Sequence, residues 1–146
     1  MKVERSIEIE APPEQVYDLV MDPRRLADWV TIHAGLKEAP SGELRKGSEL
    51  VQCLKLAGRR FDVHWEVVQA EKPRRVVWEG RGPVHSHAKV VYDFDPDGND
   101  KTCFSYTNEY SMPGGPLGRI AAGALRGTSQ RESERSLEKL KRIIEG

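Results

Sequence analysis

The sequence predicts an α+β fold: a curved antiparallel sheet of about six or seven strands wrapped around a long C-terminal helix, with two short helices after the first strand. Three observations lead there. Between residues 48 and 112, apolar and polar side chains alternate in a series of segments separated by short turns. Past Pro113-Gly114-Gly115-Pro116 the apolar residues recur at helical spacing as far as about Ile144. The chain of 146 residues falls in the single-domain range, so one domain over residues 1–146 is expected, with no linker or repeat to divide it.

The first strand is the simplest element. Val3, Arg5, Ile7 and Ile9 alternate with Glu4, Ser6, Glu8 and Glu10, the pattern of a half-buried strand. Pro12-Pro13 ends it, and proline suits the first turn of the helix that carries Val16, Tyr17, Leu19, Val20 and Met21. Asp22-Pro23 breaks that helix before a second short one with Leu26, Ala27, Trp29 and Val30. Thr31–Glu38 is a strand candidate. In Ser48–Leu56, Leu50, Leu54 and Leu56 share a face with Gln52, and Ala57-Gly58-Arg59 reads as a tight hairpin. Phe61, Val63, Trp65 and Val67 then alternate with Asp62, His64 and Glu66.

Three further strands complete the meander: Arg75–Gly80 with Val76 and Trp78, His85–Asp95 with Ala88, Val90, Tyr92 and Phe94, and Thr102–Met112 with Phe104, Tyr106, Asn108 and Tyr110. Asp97-Gly98 tolerates the positive φ angles of the turn before the last of these. Strands with one apolar and one polar face leave one side of the sheet wet and require a cover on the other. Only the C-terminal helix is long enough. Its first stripe (Leu117, Ile120, Ala121, Ala124, Leu125) and its second (Leu137, Leu140, Ile144) point almost opposite ways at 100° per residue, so either the helix bends or breaks around Gly123–Gly127 or its first half serves a different neighbour. The first stripe then faces the core, a homodimer mate or the mouth of a cavity as a lid. Continuing the second stripe toward the N-terminus reaches Arg119, Ala122, Gly123, Arg126, Gln130 and Ser133, which are too small or polar to fill a core.

Charge excludes some functions. With 23 basic and 23 acidic side chains the formal net charge is zero, so the basic surplus of a nucleic-acid groove is missing. No stretch reaches the roughly 20 apolar residues of a membrane span, and no integral membrane association is expected. The opening residues hold no apolar leader, so a cytoplasmic location is the simplest expectation, with Cys53 and Cys103 reduced.

The run I-E-I-E-A-P-P-E-Q-V-Y-D-L-V from Ile7 to Val20, F-D-V-H-W-E-V-V-Q-A-E-K-P from Phe61 to Pro73, Y-T-N-E-Y-S-M-P-G-G from Tyr106 to Gly115 and the closing Leu137–Lys141 resemble the START-related superfamily, also called the polyketide cyclase/dehydrase and lipid-transport superfamily. The resemblance spans essentially the whole chain. It implies a helix-grip fold with a deep pocket between the concave sheet face and the long helix. The strand alternation then assigns that pocket Trp65, Trp78, Tyr92, Tyr106, Asn108 and Tyr110, with Trp29 and Met112 near its mouth and Arg119, Arg126 and Gln130 supplied by the helix. The function implied is binding of a hydrophobic small molecule (a lipid, polyketide or aromatic metabolite). The alternative is a cofactor-free cyclase or dehydratase acting on a poly-β-keto or aromatic substrate in the same cavity.

The residue types fit either use. Tyr hydroxyls and Trp N–H groups can meet a ligand's oxygens, or simply form core. Arg119 and Arg126 could clamp a carboxylate or enolate, or face water. His85 and His87 are two residues apart on one strand, but zinc needs a third ligand that the sequence does not supply, so no metal and no cofactor are expected. His33, near Trp29, is the one histidine within reach of the pocket mouth as an acid or base. Glu109 is out of phase with Tyr106 and points outward unless a bulge intervenes. Oppositely charged residues four apart on the last helix, such as Glu138 and Arg142, suggest a solvated face.

Overall fold

The alternation of the first ten residues becomes strand β1 (Lys2–Ile9), with Val3 and Ile9 buried and the glutamates exposed. In the computed structural model, which describes residues 1–146, Pro13 opens helix α1 (Pro13–Val20), and Val16, Tyr17 and Val20 face inward. Asp22 ends this segment: its carboxylate accepts from the Arg24 amide at 3.1 Å and starts a single turn that leads into helix α2 (Leu26–Trp29). Seven strands form one antiparallel sheet in the order β1-β7-β6-β5-β4-β3-β2. The others are β2 (His33–Glu38), β3 (Glu49–Leu56), β4 (Arg59–Glu71), β5 (Arg75–Arg81), β6 (His87–Pro96) and β7 (Thr102–Ser111). The predicted α+β architecture, with its curved sheet and long C-terminal helix, is thus what the chain forms.

Two features shape the sheet. Ala57 and Gly58 both have positive φ, 51° and 79°, and make the two-residue turn that pairs Leu56 with Arg59. Between Val67 and Gln69 the register of β4 against β5 shifts, a bulge that adds twist and bends the strand. Pairing of β6 with β7 is unbroken from His87 to Pro96, so Tyr92, Tyr106 and Asn108 keep the inward phase the alternation assigns, and Glu109 stands outside opposite Lys89.

The C-terminal stretch takes the first of its two expected courses and divides, at Leu125, into α3 (Gly115–Ala124) and α4 (Arg126–Glu145). Helix α4 lies on the concave face through Ser129, Ser133, Ser136, Leu137 and Leu140, all buried. Polar contacts fix it along β1: Arg5 Nε donates to Glu134 at 2.9 Å and Lys141 Nζ donates to the Glu8 carbonyl at 2.7 Å. The stripe on α3 does not enter the core, since Leu117 and Ile120 are 77% and 68% exposed.

The centre of the core is aromatic. Trp29 is completely buried, with its ring centroid 6.0 Å from Tyr92, 6.2 Å from Phe104 and 6.0 Å from Tyr106. The sequence places it near a pocket mouth; α2 instead drives it into the middle of the concave face. Burying a large apolar side chain contributes roughly 1.5–3 kcal/mol, so a position at the rim would forgo most of that. His85 and His87 also differ from expectation: His85 lies in the turn before β6, with φ of 60°, and only His87 belongs to the strand.

Candidate functional site

Between the concave face and α4 lie two adjoining cavities. The larger, about 20 Å³, is walled by Trp65, Trp78, Tyr92, Tyr106, Asn108 and Tyr110, together with Gln52 and the apolar Leu26, Val30, Ile32, Leu54 and Val90. The smaller, about 10 Å³, shares Ile32, Tyr106, Asn108 and Tyr110 and adds Leu56, Glu132 and the three serines Ser129, Ser133 and Ser136. A water needs about 10–15 Å³, so each cavity has room for about one. The deep pocket implied by the resemblance is therefore closed down in this conformation, because Trp29 and the sheet aromatics occupy the concave face.

The fold brings together all six of the sheet residues that the alternation assigns to the pocket. It does not bring Arg119 or Arg126 there: both are exposed and line neither cavity. The reason is the break at Leu125, which resets the helical phase. The inner face of α4 starts at Ser129 rather than continuing backward to Arg126 and Arg119. Serines at 129, 133 and 136 carry the i, i+4, i+7 spacing of one helix face, a signal present in the sequence but legible only once that phase is known. Gln52 also had a signal, being the one polar residue in phase with Leu50, Leu54 and Leu56.

Gln52 organises the polar side of the site. It is buried on β3, its Oε1 accepts from Trp65 Nε1 at 2.9 Å, and its Nε2 lies 2.9 Å from His33 Nδ1. An indole nitrogen can only donate. The carboxamide oxygen of Gln52 must therefore face Trp65 and its NH₂ must face His33, which leaves His33 Nδ1 as the acceptor. His33 is thus held as the neutral imidazole with its proton on Nε2. Burial lowers its pKa from the ordinary 6.5, in the same direction.

The tyrosines behave as donors. Burial raises the pKa of Tyr106, with the neighbouring Asn108 opposing, and raises that of Tyr92 further, reinforced by Tyr106. Tyr110 is pushed up by the same two causes, burial first. All three hydroxyls remain protonated near neutral pH. Two buried polar atoms on the cavity walls have no hydrogen-bond partner in the protein: Trp78 Nε1 in the larger and Ser129 Oγ in the smaller.

A larger concavity lies outside. A groove of about 610 Å³ runs between the β3–β4 hairpin and the flank of α4, with His33 and Thr31 on its floor. Five cations line it (Lys55, Arg60, Arg135, Lys139, Arg142) against the carboxylates of Glu132 and Glu138. Of the five, Arg135 alone is ion-paired, with Glu132 at 3.4 Å. The expected Glu138–Arg142 pair does not form, and the i, i+4 pair on this helix is Lys141–Glu145 at 2.6 Å.

A curved antiparallel sheet closed by a C-terminal helix over an aromatic-walled interior defines the helix-grip class. The chain belongs to the family described as polyketide cyclase/dehydrase and lipid transport, whose model matches residues 1–145. Among curated proteins it is 26% identical over 127 residues to one named Toxin Rv0910 from Mycobacterium tuberculosis, covering 86% of this chain and 88% of that protein. Among solved structures it resembles the Zhui aromatase/cyclase from Streptomyces sp. R1128, with a TM-score of 0.77, 16% identity and coverage of 99% and 93%. It also resembles a START superfamily protein from Mycobacterium smegmatis, with a TM-score of 0.75, 17% identity and coverage of 98% of both chains. At these identities the structural likenesses concern the fold. No helix of the chain is long and apolar enough to cross a membrane.

Proposed function

We propose that this protein binds a hydrophobic small molecule between the sheet and α4. The observation that carries the reading is the orphaned polar atom on each cavity wall: the Trp78 N–H and the Ser129 hydroxyl are buried without protein partners. Such groups are rare in native structures and expensive to leave unmade. Oxygens on an otherwise apolar ligand would accept from these groups, one in each cavity, and the protonated tyrosines supply further donors. The walls are aromatic and aliphatic with a few polar groups, the lining of a binding pocket. Their small volume requires that α4, or Ile32 and Leu54 beneath it, move outward when the ligand enters.

A cyclase or dehydratase in the same place requires a group that takes a proton. The titratable groups on the two cavity walls are the three tyrosines, held protonated, and Glu132 at the rim, paired with Arg135. The site therefore offers donors without a poised base, which favours binding over proton transfer.

Native mass spectrometry of protein purified from its own host, with extraction of the bound material, tests this. A stoichiometric apolar compound whose occupancy drops in Trp78→Phe supports the reading. Retention unchanged in Trp78→Phe and in Ser129→Ala would place the compound elsewhere and overturn it.

A further inference from the structure

The groove and the cavities are neighbours with a thin wall between them. Leu56 and Glu132 each line both the outer groove and the smaller cavity. Thr31 makes the polar contacts across the seam: its amide donates to Ser136 Oγ at 3.0 Å, and its hydroxyl donates to the Glu132 carbonyl at 3.2 Å and lies 3.1 Å from Ser136 Oγ. Beyond the seam, the groove carries five cations against two carboxylates on a molecule whose total charge is zero. Lys55, Arg60, Lys139 and Arg142 converge on it from the hairpin and from the helix without carboxylate partners, and the side chains of all four residues are exposed. Like charges gathered this way repel one another, so they are stabilised by an anion that bridges them.

We propose that the groove is the entrance to the interior and holds the anionic end of an amphipathic ligand, whose apolar part passes Leu56 and Ile32 into the cavities under α4. This rests on the ligand-binding reading above and adds a ligand class to it: an apolar chain or ring system ending in a carboxylate or phosphate. The Thr31 contacts to α4 involve no strand-to-strand hydrogen bond, so parting them leaves the sheet ladders intact. The cations of the groove then bind the charged end where it stays in water, which spares the interior a charge it has no partner for.

The test compares pyrene-labelled dodecanoic acid with the corresponding alcohol by fluorescence titration at low salt, using the wild-type chain, the Arg60→Glu/Lys139→Glu double variant and the charge-conserving Arg60→Lys/Lys139→Arg variant. Circular dichroism melts confirm that each is folded. The expected result is acid binding about tenfold tighter than alcohol binding, lost in the charge-reversed variant, kept in the conserving one, with alcohol affinity unchanged throughout. Equal binding of acid and alcohol, indifferent to charge reversal, leaves the cavity reading standing and overturns the groove assignment. Binding of neither overturns both. Inorganic phosphate that displaces the acid completely at the concentration at which it binds by itself shows a site for a free anion only, and overturns the amphipathic ligand.

Discussion

Trp65 Nε1 donates to Gln52 Oε1 at 2.9 Å, and the direction of that one bond sets the protonation state of His33 on the far side of the carboxamide. Replacing Gln52 with leucine leaves the indole N–H buried without an acceptor. The expected loss of stability is about 1–3 kcal/mol, read from denaturant unfolding. In the same variant the His33 pKa, tracked by NMR, should stay below its ordinary value, because burial is what depresses it and leucine leaves the ring as buried.

The wild-type chain should lose stability as it is acidified through the histidine range. The folded-state pKa of His33 is depressed by burial, below the 6.5 of the unfolded chain. Its contribution is complete above pH 6.5 and is lost as pH falls from there through the folded-state value, since the unfolded chain takes up the proton first. Melting temperatures between pH 8 and pH 5 should show this slope (roughly the histidine window), and His33→Asn should flatten it. An unchanged slope in that variant would assign the effect to other groups.

Gly80 faces Trp65 across the β4–β5 pair, and a Cβ placed there would stand 2.6 Å from the indole ring and 2.7 Å from Val63 Cγ1. Gly80→Ala should therefore overpack the core and cost about 1–3 kcal/mol. Combined with Trp65→Leu the two losses should fall short of their sum, because the smaller side chain removes the clash with the indole and leaves only that with Val63. Strict additivity in chemical denaturation would contradict the close approach.

Ser129→Ala removes a buried hydroxyl that has no partner and replaces it with the best helix former. Stability should rise by about 0.5–1 kcal/mol while affinity for the extracted ligand falls. A variant that is less stable would mean that the hydroxyl already has a partner in solution.

Leu117 and Ile120 are exposed on α3, so Leu117→Ser/Ile120→Ser should unfold within about 0.5 kcal/mol of the wild type, as expected for surface positions. Should the double variant lose substantially more, the stripe is covered in solution, and sedimentation at rising concentration would identify a second copy as the cover.

The fold was legible because the strands that wall the cavities announce their inner face through a period of two, which the bulge between Val67 and Gln69 interrupts only beyond Trp65. Phe104, Tyr106, Asn108 and Tyr110 kept that phase along β7, and their partners on β4, β5 and β6 did likewise, so the aromatic wall of the cavities came from local pattern alone. The helix wall did not. A single kink at Leu125 rotates everything before it, and no local propensity states how an interruption near Gly123–Gly127 sets the phase of α4 relative to α3. Arg119 and Arg126 went outward and Ser129, Ser133 and Ser136 inward as a result.

The amino-acid sequence by itself determined the antiparallel sheet, the closing helix and the six residues that the sheet turns inward, since side-chain alternation is a property of neighbouring residues. Only the tertiary structure decided the depth of the cavity, the partnership of Gln52 with Trp65 and His33, and the gathering of Lys55, Arg60, Lys139 and Arg142 around one groove. Those depend on how far Trp29 reaches into the concave face and on the angle at which α4 meets the β3–β4 hairpin. Both are settled by packing between elements remote in sequence, where the free energy of burial, not local spacing, chooses the arrangement.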